Sequence, residues 1–404
     1  MIDWYGSFDK KDIELVKDYL KQRYETKQIK KQISVVFDLL HQCDIQCKGC
    51  GTNATYCDLK SIDSPELDMN SVVRVLEKID QYAQKMGMPV FINFGGGEPF
   101  LRKDMLSILH AAADIFSPEN IGIDTNGTLD NSYELIKEAS VYCNYIGISV
   151  NGLEEYSSWW VGNNRINAYE RQIEVIRKLC SDPLVREKVE VTSVATQKNI
   201  EDIPKLMEIL NELNVKNYSV HRSIPVGRMR YISNLVPDAM DYFKLLISLV
   251  KKASELNMNC HLHHSIESIH TSLLLGMDTF VYDKIGNPDI ASSIGIEPSG
   301  EVVYDPWCTT GCWKKLTAGN VISSDVSLYD LVNSKSSAFE QSKIYINRNS
   351  RCRGCQEKCS GGSRVVAAVE RINGFKDEDI AIEDIYDAMC EKDPSCPLYV
   401  NRGE

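Results

Sequence analysis

The sequence has little of what brings a protein to a membrane or a nucleic acid. No apolar run approaches the ~18–20 residues that a spanning helix needs. Lysine and arginine number 45 against 57 aspartates and glutamates, for a formal net charge of -12. That balance repels phosphate, so no broad binding to nucleic acid or to anionic lipid is expected. The opening stretch MIDWYGSFDKKDIELVKDYL lacks a basic segment followed by an apolar one. No secretion signal is therefore expected, and the expected location is cytoplasmic. There is no low-complexity tract, and nothing repeats except a β-α unit.

Cysteine, by contrast, is abundant, with 14 in 404 residues. In a reducing compartment, dense cysteine groups point to metal binding rather than disulfides. Cys43, Cys47 and Cys50 fall in CDIQCKGC, spaced C-x3-C-x2-C, and no fourth cysteine continues the spacing. Cys308, Cys312, Cys352, Cys355, Cys359, Cys390 and Cys396 crowd the C-terminal end. The scattered Cys57, Cys143, Cys180 and Cys260 read as small core residues.

Residues 10–30 carry helical spacing with a charged face. ISVVFDLL, 33–40, reads as a buried strand, and strands and helices alternate from there. Strands are predicted at 89–94, 120–125, 145–150, 188–196 and 217–223. Helices are predicted at 70–86, after Leu101, near 133–139, at 165–180 and in EDIPKLMEILNEL. About six β-α units between 33 and 235 argue for an α/β sheet or barrel with its chemistry at the C-terminal ends of the strands. A helix at 237–256 and NCHLHH follow. IGIEPSGEVVYDPW then reads as a hairpin turning at Pro298, Ser299 and Gly300. Beyond it the chain has few long apolar runs, and metal is expected to staple a segment with little core of its own. The predicted organisation is an N-terminal helical extension (1–32), a barrel (33–235), a bridging region (236–290) and a cysteine-rich cluster-binding domain (291–404).

CDIQCKGC sits in the loop after the first strand. Structural zinc wants four ligands, usually in two close pairs. Closely spaced thiolates also hold iron–sulfur clusters. Three thiolates on a four-iron cube leave one iron free for a ligand. The next strand runs into GGGEPF, with Gly95, Gly96, Gly97, Glu98 and Pro99. A glycine-rich turn lets backbone approach a ligand closely. A phosphate loop would continue with Lys-Ser/Thr, which is absent. The third strand ends at Asp124, Thr125 and Asn126, and the fourth at Ser149 and Asn151. Each polar group alone is ordinary turn chemistry. Together they gather at one end of successive strands.

The C-x3-C-x2-C spacing followed by GGEP resembles the radical S-adenosylmethionine (SAM) superfamily over residues 33–235. The resemblance implies a partial (β/α)6 TIM-like barrel. It implies a 4Fe–4S cluster on Cys43, Cys47 and Cys50, whose open iron chelates SAM. Gly96, Gly97, Glu98 and Pro99 would support the SAM amino group, and Thr125, Asn126 and Ser149 would lie near its ribose and carboxylate. The chain departs from the family at two places. An aromatic residue usually precedes the third cysteine and touches adenine; here it is Gly49, so adenine packing must come from elsewhere. The usual carboxylate-binding arginine falls near Val161, leaving Arg165 or Arg222 to substitute.

WCTTGCWKKLTAGN, CRGCQEKCSGGS and DPSC resemble a SPASM extension, which carries auxiliary iron–sulfur clusters. The resemblance implies at least one auxiliary 4Fe–4S cluster, on Cys352, Cys355, Cys359 and Cys396. Ser324 and Ser363 stand where the full pattern has cysteine, so Cys308 and Cys312 form half a site. Cys390 is either a substitute ligand or simply buried. A structural zinc module is the competing reading, since C-x2-C-x3-C also suits zinc.

His261, His263, His264 and His270 read as hydrogen-bonded structural residues, with a pocket role as the alternative. Tyr156, Trp159 and Trp160 read as core, or as the mouth of a substrate pocket. Enzymes with this extension mostly act on peptides, so peptide modification such as crosslinking or oxidation is the expected function. A small-molecule dehydrogenase or epimerase acting on a sugar or aminocyclitol is the alternative, and a non-enzymatic iron–sulfur or zinc protein the third reading. An electron donor such as flavodoxin or ferredoxin is an implied partner.

Overall fold

The computed structural model describes residues 4–26, 32–57, 66–162, 167–263, 266–276, 293–323, 325–355, 364–372 and 380–397. Its centre is a sheet whose strands are β1 (Ile33–Asp38), β2 (Val90–Gly95), β3 (Ile121–Thr125), β4 (Tyr145–Ser149), β5 (Val189–Ala195), β6 (Asn217–Arg222), β7 (Asn259–Leu262), β8 (Ser293–Ile296), β9 (Glu301–Val303) and β10 (Thr317–Asn320). The spatial order is β10-β9-β8-β1-β2-β3-β4-β5-β6-β7. From β8 to β7 neighbouring strands are parallel, and β9 and β10 add an antiparallel edge.

The six expected β-α units are present as β1 to β6. The sheet continues beyond them on both sides. The predicted hairpin forms, with Gly295 opposite Val303, but its first strand also pairs in parallel with β1, placing Ile294 beside Val35. Strand alternation explains the layering. Ile33, Val35 and Phe37 of β1, Ile92 and Phe94 of β2, and Ile121 and Ile123 of β3 belong to the buried core. The intervening side chains, such as Ser34, Asn93, Asp124, Glu190 and Thr192, line the lumen instead. Apolar residues outward and polar residues inward give a hollow barrel packed on the outside.

Helices cover the outer face. Met69–Met86 starts at Asp68, whose carboxylate accepts from the Ser71 amide, and ends at Gly87 in the left-handed conformation. Glu154–Val161 is a helix that the apolar spacing did not announce. No helix among the described residues is long and apolar enough to cross a membrane.

The cysteine-rich region has more core than its sequence suggested. Short helices at Ala338–Asn349, Arg364–Ile372 and Ile382–Ala388 bury Ile346, Val365, Val366, Val369, Ile385 and Met389 together with Trp313 and Leu316. Helices of two or three turns bury enough when several converge, even though none has a long apolar run. One tie to the barrel is electrostatic. Arg222, at the end of β6, donates through Nη1 to Glu370 Oε1 at 2.6 Å and through Nε to Pro237 O at 2.8 Å. The two side chains are only 3% and 15% exposed.

Removing one partner of a buried ion pair leaves the other uncompensated. Glu370→Ala should therefore cost about 3 kcal/mol of stability. The paired replacement Arg222→Met with Glu370→Leu should recover most of that loss. Denaturant midpoints of the three proteins decide it: a Glu370→Ala midpoint equal to the parent's refutes the clamp.

Candidate active site

Cys43, Cys47 and Cys50 border one cavity of about 620 Å³. Gly95, Gly96 and Gly97, the strand-end residues Thr125, Asn126 and Ser149, and the aromatic Trp160 and Trp307 line it too. No other described thiol borders it. The lumen side chains Asn93, Asp124, Tyr145, Glu190, His221 and His263 form its deeper wall.

The glycine run is seated against the base of the cysteine loop. Leu39 N donates to Gly95 O (3.0 Å), Gly97 N to Leu40 O (2.8 Å) and Glu98 N to Gln42 O (2.9 Å). Gly96 has φ of +110°, and a β-carbon on it would press on Leu40 O. A β-carbon on Gly97 would overlap the Gln42 carbonyl. Part of the demand for glycine thus comes from the chain's own backbone. The same residues still border the cavity.

Glu98 is fully buried. It accepts from Phe100 N (3.1 Å), Thr125 Oγ1 (2.9 Å) and Asn126 N (2.8 Å), tying the ends of β2 and β3 together. Burial, and then the charge of Asp44, push its pKa up to about 8, while those donors pull it back. Pro99 opens the buried turn that follows. Asn126 donates to Asp44 Oδ1 (2.7 Å) and towards Cys43 Sγ (3.5 Å). Gln172 bridges Asn126 O (2.9 Å) and Ser149 O (2.8 Å) from its helix.

The thiols fit an iron–sulfur cluster on their own chemistry. Hydrogen-bond donors reach two of the sulfurs: Asn126 at Cys43, and Ala54 N (3.4 Å) at Cys50, which Thr52 Oγ1 also meets at 3.4 Å. Such donors favour anionic sulfur. Burial, then Asp44 and Cys47, raise the Cys43 pKa well above the usual thiol value. Burial and Cys50 push Cys47 up to about 12, with Arg228 opposing. The protein alone does not ionise Cys43 or Cys47, whereas a bound metal deprotonates thiols outright. Among the described residues no three His, Cys, Asp or Glu side chains converge on one ion position. A cube that spreads its thiolates over separate corners does not ask for that convergence.

Gly49 lies directly under Trp160. A β-carbon on Gly49 would overlap the indole and press on Met229 Sδ. Trp160 is 2% exposed and stacks on Tyr156, with ring centroids 5.8 Å apart. Trp307, from the cysteine-rich region, lies over Gly51 in the same way.

Other expected residues are placed elsewhere. Arg165 and Cys359 lie outside the described residues, as do Ser324, Ser363 and His264. Arg222 borders the cavity, but its guanidinium is held by Glu370 and Pro237. Cys308, Cys312 and Cys390 share an apolar cluster, where Cys390 Sγ donates to Tyr386 O at 3.3 Å. Cys352 and Cys355 form a tight turn, with Cys355 N on Cys352 O at 3.1 Å, and Cys396 N donates to Asp393 O at 2.9 Å. His263 stacks on His221 at 3.9 Å in the lumen. His270 instead packs among Trp4, Tyr5 and Phe243, accepting from or donating to Tyr5 Oη at 2.7 Å. Sequence reasoning missed Asp44, which fills an open position of the cysteine spacing, and Gln172 and Arg228, which belong to no motif.

Comparison with known proteins matches residues 39–210 to the Radical SAM superfamily. Residues 39–210 thus carry a radical SAM domain. The chain is 25% identical over 199 residues to Fe-coproporphyrin III synthase of Methanosarcina barkeri, covering 49% of this chain and 46% of that protein. It is 24% identical over 202 residues to PqqA peptide cyclase of Bradyrhizobium diazoefficiens, covering 50% and 49%. The chain thus spans about half the length of the curated relatives it matches. Among solved structures it resembles Streptococcus suis SuiB bound to S-adenosylmethionine, with a TM-score of 0.62 at 16% identity, over 92% of this chain and 76% of that one. It also resembles anSMEcpe with bound AdoMet, with a TM-score of 0.61 at 16% identity, over 88% and 95%. At this identity the likeness concerns the fold.

Asp38, at the end of β1, is 7% exposed. Burial, then the neighbouring Glu297 and Asp124, raise its pKa to about 7. A carboxyl group raised in the fold binds more protons folded than unfolded, so stability falls as pH rises from about 4 through 7. Asp38→Asn should remove that penalty. Relative to the parent it should gain roughly 1–3 kcal/mol between pH 5 and pH 8. Unfolding midpoints at the two pH values test this, and a difference between variant and parent that does not change with pH refutes it.

Proposed function

We propose that the chain is a radical SAM enzyme that abstracts hydrogen from a peptide substrate, in a modification such as crosslinking or oxidation. The observation that carries the reading is the meeting of three thiols, the glycine run and the polar strand ends on one cavity. Cys43, Cys47 and Cys50 would hold a 4Fe–4S cluster, which with SAM bound would supply one-electron cleavage of the sulfonium to a 5'-deoxyadenosyl radical. The protein's part is positioning and exclusion of water. Gly96 and Gly97 offer backbone edges for the SAM amino group, which Glu98 and Pro99 hold in place. Thr125, Asn126 and Ser149 are at hand for ribose and carboxylate. Trp160, seated where Gly49 leaves space, is the apolar surface for adenine. Cys352, Cys355, Cys359 and Cys396 would hold an auxiliary cluster, and flavodoxin or ferredoxin would serve as electron donor.

Peptide as the substrate class is supported by similar proteins: SuiB has been solved bound to the precursor peptide SuiA, anSMEcpe with the Cp18Cys peptide, and PqqA peptide cyclase is a relative in sequence. A small-molecule reaction is the second reading. It is favoured by 25% identity to Fe-coproporphyrin III synthase and to pre-heme d1 synthase, beside 24% to PqqA peptide cyclase.

Anaerobically prepared protein should hold about eight irons per chain, from two four-iron clusters. Replacing Cys43, Cys47 and Cys50 with alanine should remove about four of them, together with all production of 5'-deoxyadenosine. Deuterium should pass into 5'-deoxyadenosine from labelled precursor peptides and not from labelled sugars; the opposite pattern selects the small-molecule reading. Trp160→Ala should keep its iron and bind SAM about tenfold more weakly, a loss of ~1.4 kcal/mol typical of an aromatic platform. Unchanged affinity in equilibrium dialysis takes Trp160 out of the adenine site.

A further inference from the structure

Arg228 follows β6 in the helical segment Gly227–Leu235 and reaches back across the cysteine loop. Its Nε donates to Cys47 O at 2.8 Å, and its Nη1 to Ala54 O at 2.6 Å and Asn53 Oδ1 at 3.4 Å. Its backbone amide donates to Cys50 O at 2.9 Å. One residue thus grips the loop at positions 47, 50 and 54. The approach is close because Gly227, at φ +54°, presents no side chain: a β-carbon there would overlap the carbonyls of Cys50 and Gly51. Gly227 N in turn donates to Thr310 Oγ1 at 3.2 Å, between Cys308 and Cys312.

The partners of the guanidinium are amide oxygens. Among the described residues no carboxylate is paired with it, and it borders the cavity that holds the three thiols. A full positive charge therefore stays beside the cysteine trio. Lysine would supply the charge but not the fork that spans two carbonyls.

We propose that Arg228 is the fixed positive charge that sets the reduction potential of the cluster held by Cys43, Cys47 and Cys50. The inference rests on the reading that these thiols hold a cluster. Adding an electron makes the cluster and its thiolates more negative, so a nearby cation stabilises the reduced form, and more strongly where water is scarce. Arg228 is a positioning residue for the loop and an electrostatic one for the cluster. It is not assigned a contact with substrate.

The test uses full-length, anaerobically reconstituted protein in three forms: parent, Arg228→Gln and Arg228→Lys. Glutamine keeps a donor for the Cys47 carbonyl without the charge, and lysine keeps the charge without the fork. Iron content is read first, then a potentiometric titration followed by electron paramagnetic resonance. The relevant signal is the one lost when Cys43, Cys47 and Cys50 are all alanine. At the parent's midpoint, the reduced-to-oxidised ratio in Arg228→Gln should fall at least tenfold, which is about 59 mV for one electron. In Arg228→Lys it should stay within about twofold of the parent's. A glutamine variant that loses this iron while the lysine variant keeps it supports the same assignment, because charge is then what holds the anionic trio together. An Arg228→Gln titration that overlays the parent's overturns the proposal, and so does loss of iron in both variants, which assigns the residue to shape alone. Parent protein with no iron–sulfur signal on these cysteines removes the proposed function itself, a different result from either.

Discussion

Three thiols share one loop at the edge of a single cavity, and ionising them together sets like charges against each other. Everything around the loop answers that difficulty. Asn126 and Ala54 aim N–H groups at sulfur. Arg228 brings a cation and ties three loop carbonyls. The Gly95–Gly97 run clamps the loop's base through backbone hydrogen bonds that leave no space for side chains. A site built this way is held in shape by its own backbone before any metal binds. That shape suits a cofactor that must be seated in one orientation.

The polar strand ends are organised by the same logic. Glu98 gathers donors from the turn after β2 and from the end of β3, and Gln172 joins the ends of β3 and β4. Neither residue has to meet a ligand to matter. Each fixes the relative height of two strands, and so the distance between the cysteine loop and whatever lies across the cavity from it.

Much of this was legible in the sequence. The six β-α units could be read because period-2 apolar runs alternate with period-3.6 ones, and the cysteine spacing with its glycine-rich companion could be read because both are local. What could not be read depends on the chain returning to itself. Arg228 has no motif, since its work is done 181 residues away from its position, at Cys47. Glu154–Val161 was missed because EEYSSWWV buries Tyr156, Ser157, Trp160 and Val161 without an apolar stripe. The core of the cysteine-rich region escaped notice because it is assembled from short helices that are apolar only in aggregate. The histidines looked like one group in sequence, yet His263 faces the lumen and His270 sits in an aromatic cluster near the N-terminus.

The parallel pairing of β8 with β1 bears on how the molecule comes into being. The strand that launches the cysteine loop has β2 on one side and, on the other, a strand translated more than 250 residues later. While the chain is being made, that flank of β1 is an open edge with unsatisfied amides and carbonyls. Closing it is a long-range event, slow compared with forming any single β-α unit. The cysteine loop can take up its final form only after most of the polypeptide has left the ribosome, so a site built on it is completed late in biogenesis.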